Sequence, residues 1–331
     1  MEKKPKLAVL GGGSWATAIV KMLTENLNQV GWYMRSVYAL EHIKRQQHNP
    51  NYLSSVEFKL DQLKLTNDIN EVVNHADYLI FAIPSAFLNS ELQKLTVSLK
   101  DKIIFSAIKG IVPETGLIVG EHFHEEYNIP FNNIGVITGP CHAEEVALER
   151  LSYLTIASND EEKAKIMANC LSSDYIKCKT SDDIIGTEYA AVLKNIYSVA
   201  AGIAHGLGYG DNFQSVLMSN AIREMKRFIK KVHKMKRNIN DSAYLGDLLV
   251  TGYSTFSRNR MFGNMIGKGY KVKSAQMEMS MIAEGYYAAK TAYEMKATKT
   301  TRTPIIDAVH DVLYENKDPK KVFKKLTDKL D

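Results

Sequence analysis

Short, continuous apolar runs alternate with amphipathic stretches through the first 180 residues and then stop. The runs lie at Lys6–Leu10, Val30–Met34, Tyr78–Ile83, Ile103–Ala107 and Ile134–Thr138, with two more at Leu154–Ser158 and Tyr175–Cys178. Segments of helical spacing, such as Thr17–Asn26 and Ala86–Leu99, separate them. A strand that is apolar on both faces must be covered on both faces, and intervening helices supply the cover, so the pattern predicts a parallel, doubly wound sheet. From about Ser181 the strand-like runs vanish. Long helical patterns take over at Asp183–His205, Phe213–Lys236 and Gln276–Met295. The expectation is an α/β domain over residues 1–180 followed by an all-α domain over 181–331.

A length of 331 residues suits two domains. With 42 basic against 37 acidic residues the chain carries a net charge of +5. That mild excess favours an anionic ligand and is too small for a nucleic-acid-binding surface. The three cysteines, Cys141, Cys170 and Cys178, are odd in number and form no CxxC pair. A reducing, cytoplasmic setting follows. No apolar stretch reaches the roughly 18 residues a membrane span needs. The basic start and the Ala-x-Ala at Ala16–Ala18 do not make an export signal, because the apolar run between them is only Leu7–Leu10.

The strand at Lys6–Leu10 runs directly into Gly11-Gly-Gly-Ser-Trp-Ala16, and a helix follows. This is G-x-G-x-x-A. Gly11 permits a tight turn, Gly13 lets the backbone approach a pyrophosphate, and Ala16 is small enough for helix–strand packing. The helix start offers unpaired N–H groups and a partial positive charge to the phosphates. A Rossmann-type dinucleotide site is therefore expected. An NAD site usually carries an acid at the tip of the second strand to hold the ribose hydroxyls. That strand here ends Gly31-Trp-Tyr-Met-Arg-Ser36 and has Arg35 instead, suited to a 2′-phosphate or to stacking on adenine. The expected cofactor is NADP or NAD, with Arg35 favouring NADP. Pro84, Ser85 and Phe87, beyond a further strand end, are expected to line the cofactor site.

Several polar residues stand where chemistry is plausible. Lys109, in Phe105-Ser-Ala-Ile-Lys-Gly110, follows a strand end and could hold an anionic substrate or a carbonyl oxygen. Thr138-Gly-Pro-Cys-His-Ala-Glu-Glu145 joins another strand end to a helix start. Lys194 and Asn195 lie among Ala190, Ala191, Val192, Leu193, Ile196 and Val199. A lysine in such a stretch loses hydration, its pKa falls toward neutrality, and it becomes a usable proton donor. Asp247 could orient it. Ser257-Arg-Asn-Arg-Met-Phe-Gly263 combines a fork donor with an amide, which suits a phosphate.

GGGSWA, SAIKG, TGPCHAEE, AVLKN, LGDLLVT, SRNRMFG and AEG, in this order over nearly the whole chain, closely resemble the soluble, bacterial-type NAD(P)-dependent sn-glycerol-3-phosphate dehydrogenase family. The resemblance implies reversible reduction of dihydroxyacetone phosphate to sn-glycerol 3-phosphate, for glycerophospholipid synthesis. It also implies a helical domain like that of 6-phosphogluconate dehydrogenase, and a homodimer. Lys194 would be proton donor in reduction and acceptor in oxidation. Lys109 would touch cofactor and substrate. Gly139, Cys141, Asn195, Asp247, Thr251, Ser257, Arg258 and Asn259 would complete the substrate pocket, Arg258 and Asn259 near the phosphate. Gly11, Gly13, Ser14, Trp15, Ala16, Arg35, Phe87, Ala143, Arg258, Ile282 and Glu284 would meet the cofactor. Two departures stand out: the family usually has Ser or Thr in place of Cys141, and Phe in place of His142. The backbone N–H at 141 survives that change, while a hydroxyl hydrogen bond does not.

Other features read as structure. Cys141-His142 has no third member for thiol catalysis. The histidines of Glu121-His-Phe-His124 do not share a helix face, so no metal is expected. The basic Lys226–Arg237 reads as a solvated helix face with Phe228, Ile229 and Val232 inward. Met277, Met279 and Met281 read as core filler. The rival readings are a β-hydroxyacid or 6-phosphogluconate-type dehydrogenase, against which the SRNR segment and two lysines argue, and a nucleotide sensor that has lost catalysis, in which Lys194 or Asp247 should be broken.

Overall fold

The computed structural model describes residues 5–279, 283–299 and 301–331. The chain forms two compact units. One comprises the chain up to Ile108 together with Leu117–Ile184; the other comprises Lys109–Gly116 together with Ile185–Asp331.

The first unit is an eight-stranded sheet of β1 (Leu7–Leu10), β2 (Val30–Tyr33), β3 (Leu63–Thr66), β4 (Tyr78–Phe81), β5 (Ile103–Ser106), β6 (Ile134–Thr138), β7 (Ser152–Ser158) and β8 (Ile176–Ser181). The order is β3-β2-β1-β4-β5-β6-β7-β8. Every pair is parallel except β6 with β7, where Thr138 faces Thr155. Its helices are α1 (Ser14–Asn26), α2 (Val37–Gln46), α3 (Ile69–His75), α4 (Ser85–Leu92), α5 (Val119–Tyr127), α6 (Ala143–Ala147) and α7 (Glu161–Leu171). β1, β2 and β4 are buried along their whole length, as continuous apolar strands require. The order reverses at β1, which places the ends of β1 and β4 at a switch point, where ligands of such sheets bind.

β3 lacks an apolar run. It is the edge strand Leu-Lys-Leu-Thr, half-buried at its two middle residues, and short edge strands with a lysine carry little hydrophobic signal. The helix expected over Ala86–Leu99 ends at Leu92. Beyond it Asn70 Oδ1 accepts a 2.7 Å hydrogen bond from the Thr96 N–H, and the Thr-Val-Ser that follows disfavours helix.

The second unit holds α8 (Ile184–Gly206), α9 (Asp211–Val232), α10 (Asp247–Tyr253), α11 (Arg258–Gly267), α12 (Val272–Glu278), α13 (Glu284–Lys299), α14 (Pro304–Leu313) and α15 (Pro319–Thr327). α8 is buried without interruption from Tyr189 to Ala204 and forms the middle of the unit. α11 crosses it at unusually short range. A Cβ on Gly202 would stand 2.1 Å from the Arg260 carbonyl oxygen, and one on Gly263 would stand 2.1 Å from that of Val199. This crossing sets the start of α11 against α8. Elsewhere Glu224 of α9, fully buried, accepts the Ile305 and Ile306 N–H groups at 2.9 and 3.0 Å. It caps α14 from a distant part of the chain, and burial pushes its carboxyl up to about 8 against those two bonds.

The helical run expected over Gln276–Met295 divides, since α12 closes at Glu278 and α13 opens at Glu284. Met277 is 80% exposed and Met279 half-buried, so they do not fill a core; Met281 lies outside the described residues. Phe228 and Ile229 point inward in α9, whereas Val232 is only half-buried. His122 is buried within α5, and His124 Nδ1 meets the Ile129 carbonyl at 2.9 Å.

Candidate active site

The glycine turn is shaped by its carbonyls. Gly11 has φ +141°, and a Cβ there would lie 2.4 Å from the Ala82 carbonyl oxygen and 3.4 Å from the Cβ of the buried Ala16. Gly13 differs, because a Cβ there would meet nothing within 4 Å. No packing within the protein requires that glycine; the open space beside it fits a close-lying phosphate. Three side chains hold the turn's carbonyls. Trp32 Nε1 donates to Gly11 O at 2.8 Å, Asn49 Nδ2 to Gly12 O at 3.1 Å and Thr17 Oγ1 to Gly13 O at 2.9 Å. Asn49 is fully buried and also donates to Thr17 Oγ1 at 2.9 Å. With carbonyls tied back, the N–H groups of the first turn of α1, which have no helical acceptor, are those that meet an anion. These residues fit the pyrophosphate of a dinucleotide. Ser14 opens α1 and is buried, and Trp15 beside it is half-buried.

At the tip of β2, Arg35 is exposed, and its guanidinium carbon lies 5.6 Å from the centre of the Phe87 ring. The acid absent from the strand itself arrives from α4: Glu91 stands 3.8 Å from Arg35 Nη1. Beyond β6, Gly139 takes φ +113°, and a Cβ there would crowd the Tyr153 carbonyl oxygen at 2.8 Å. Cys141 and Ala143 follow, both buried, with Ala143 opening α6.

The second unit gathers Lys109, Lys194, Asn195, Asp247, Thr251 and Ser257. Lys194 is buried in α8. Its ammonium donates to Asp247 Oδ1 at 2.5 Å and to Thr251 Oγ1 at 3.0 Å. Lys109 Nζ reaches the other oxygen, Asp247 Oδ2, at 3.4 Å. Asn195 Nδ2 donates to the Lys109 carbonyl at 2.8 Å and so fixes that segment to α8. A five-residue π-helical turn, Ser242–Gly246, precedes Asp247 and turns it inward as the first residue of α10. Ser198, one helical turn beyond Lys194, donates to the Thr251 carbonyl and meets Ser257 Oγ, both at 2.8 Å. Ser257 caps α11 through a 3.3 Å bond from the Arg260 N–H. Arg258 and Asn259 are therefore the first residues of α11, and Asn259 Oδ1 accepts the Gly285 N–H at 2.9 Å, next to Glu284. Ile282 lies outside the described residues.

The electrostatics follow from this burial. Removal from water pushes Lys194 down to about 7; Asp247 opposes that shift and the Lys109 charge reinforces it. Burial alone would raise the Asp247 carboxyl, but Lys109 and Lys194 together outweigh it and hold it below the usual range. Asp247 is thus ionised at neutral pH, while Lys194 can give up or regain a proton there.

Ser198, Asn49 and Glu91 are the participants that motif reading missed. Ser198 had a signal, because position i+4 on a helix shares a face with i. Asn49 and Glu91 had none, being 37 and 58 residues from Gly12 and Tyr33.

A lysine that exchanges a proton at neutral pH serves a reaction that makes or breaks an alcohol, and a sheet that holds a dinucleotide supplies a hydride partner. Chains built this way are nicotinamide-dependent dehydrogenases. Comparison with known proteins narrows the class. Sequence profiles of the NAD-dependent glycerol-3-phosphate dehydrogenase N-terminus and C-terminus match residues 6–164 and 183–324. A glycerol-3-phosphate dehydrogenase [NAD(P)+] of Clostridium botulinum is 35% identical over 95% of this chain and 94% of its own length. One of Macrococcus caseolyticus is 34% identical over 97% of each. The crystal structure of the Coxiella burnetii glycerol-3-phosphate dehydrogenase superposes with a TM-score of 0.90, at 26% identity, over 98% of this chain and 99% of the other. The chain belongs to the NAD-dependent glycerol-3-phosphate dehydrogenase family.

Proposed function

We propose that the chain reduces dihydroxyacetone phosphate to sn-glycerol 3-phosphate with NADH or NADPH, reversibly, and that Lys194 is the proton donor and acceptor. The observation that carries this is the buried Lys194–Asp247 pair, with Lys109 on the second carboxylate oxygen. When bound, the reduced nicotinamide supplies hydride to C2 of the substrate. Negative charge then builds on the C2 oxygen. The Lys194 ammonium stabilises that charge and passes it the proton. Asp247 and Thr251 occupy two of the three N–H directions of Lys194, which orients the third toward the substrate oxygen. Lys109 adds a second cation beside the same carboxylate. Arg258 and Asn259, presented at the start of α11, suit the substrate phosphate, helped by the positive end of that helix's dipole. Gly139 and Cys141 are assigned to the substrate as well. Cys141 offers a backbone N–H where a hydroxyl is usual. The mild positive charge of the chain suits two anionic ligands. The three cysteines form no disulfide, which accords with a cytoplasmic location, and a homodimer making glycerol 3-phosphate for phospholipids completes the reading.

The test is reduced-cofactor absorbance on adding dihydroxyacetone phosphate, with NADH and NADPH in parallel. Rapid oxidation, absent with unphosphorylated dihydroxyacetone, is the expected result. Folded protein that binds cofactor but oxidises neither would overturn the substrate. Sedimentation at several concentrations tests the dimer.

A further inference from the structure

One carboxylate at the cofactor end of the first unit is unexplained by the glycine turn. Glu91 of α4 is held from three sides. Its Oε2 accepts the Tyr33 hydroxyl at 2.5 Å; its Oε1 lies 2.8 Å from Lys94 Nζ and 3.8 Å from Arg35 Nη1. The Glu91 side chain is 5% exposed, whereas Arg35 is 66% exposed. Tyr33 is the last residue of β2, so its bond pins the carboxylate at the strand tip. Burial, and then that bond, push the Tyr33 phenol well above its ordinary range. The phenol therefore stays a donor, and the carboxylate stays fixed.

A 2′-phosphate is recognised at this tip by positive charge, and a ribose hydroxyl by an acid. Two cations alone would make a strongly phosphate-seeking site. With Glu91 shared between them the cluster carries one net positive charge instead of two. The geometry points to Glu91 as a specificity-determining residue that tempers Arg35, so that the site accepts the dinucleotide with or without its 2′-phosphate. The inference rests on the dinucleotide reading above, with the adenosine ribose at the β2 tip. It deepens that reading by naming what sets the choice between the two cofactors. Glu91 touches neither the reacting atoms nor the pyrophosphate turn; it acts through Arg35.

The experiment measures kcat/KM for NADPH and NADH, and takes their ratio, at low and high salt. Glu91→Gln keeps the acceptor for Tyr33 and removes the charge. Glu91→Met fills about the same volume without either, and because Arg35 and Lys94 are themselves exposed it leaves no cation buried without a counter-ion, so one folded neutral variant suffices. The ratio is expected to rise about three- to tenfold at low salt through the KM of NADPH, and the rise should shrink at high salt, where the charge is screened. Glu91→Asp, which keeps the charge, should hold the ratio near that of the parent. If the neutral variants move both cofactors equally, or move the ratio toward NADH, the carboxylate is merely structural and the inference is overturned. Arg35→Ala separates the two levels. A fall in the ratio there, with no change in Glu91→Gln, rejects Glu91 alone. No change in Arg35→Ala rejects the placement of the ribose.

Discussion

On the proposed mechanism the chemistry turns on Lys194, whose properties come from its address. Among apolar neighbours in the buried helix α8, its ammonium is held by Asp247 and Thr251. Lys194→Ala should lower kcat by roughly 10²–10⁴-fold, the usual weight of a positioned acid–base group, while cofactor affinity by fluorescence titration stays near that of the parent. With the Lys194 pKa at about 7, reduction needs the protonated form. Its kcat should be flat below about pH 7 and fall above it, and oxidation of glycerol 3-phosphate should show the mirror profile. Asp247 raises the lysine's pKa, so Asp247→Asn should move the break in both profiles to lower pH. A break that stays in place would show that another group titrates. Lys194 was legible because a lysine in an apolar helix violates its surroundings. Its contact with Asp247 was legible only through a motif, because Asp247 is brought inward by a π-helical turn that leaves no mark in hydrophobic spacing.

At the scale of elements, the apolar runs located seven of the eight strands; the interior ones stand out because a strand buried on both faces has to be continuously apolar. Of the two edge strands, β8 was caught through the short run at Tyr175–Cys178, and β3 escaped because Lys64 and Thr66 interrupt its four residues. The α8–α11 crossing was equally invisible as a contact, although Gly202, Gly206, Gly263 and Gly267 stand in plain view at spacings of four. Only the pairing shows that these glycines face backbone rather than solvent. Gly202→Ala would drive a methyl group into the Arg260 carbonyl. It should destabilise the protein by about 3 kcal/mol or more in urea unfolding, at the upper end for overpacking, and should weaken substrate binding by shifting the start of α11. The loop after α2 supplies the matching case in the first unit. Asn49→Ala leaves the Gly12 carbonyl and the Thr17 hydroxyl each without one donor. Losing such a buried bond costs about 1–3 kcal/mol. The expected result is a KM for NADH and NADPH raised several-fold together, with the KM for dihydroxyacetone phosphate little moved.

For the whole molecule, the chain passes from the sheet unit to the helical unit at Lys109, returns at Leu117, and leaves for good after Ile184. No single cut therefore separates the two units. Residues 185–331 made alone would lack Lys109 and the carbonyl that Asn195 holds, and should show no activity even when mixed with residues 1–184, a test by absorbance assay. The same routing fixes a calendar for synthesis. Asp247 lies 138 residues beyond Lys109, so at roughly 5–20 residues per second the lysine waits about 7–28 s on the ribosome for its counter-ion. All eight strands, α8 and α9 are complete before Asp247 emerges, and α10 to α15 are not. A chain that stops before Asp247 has every strand of its sheet but lacks the carboxylate that Lys109 and Lys194 share.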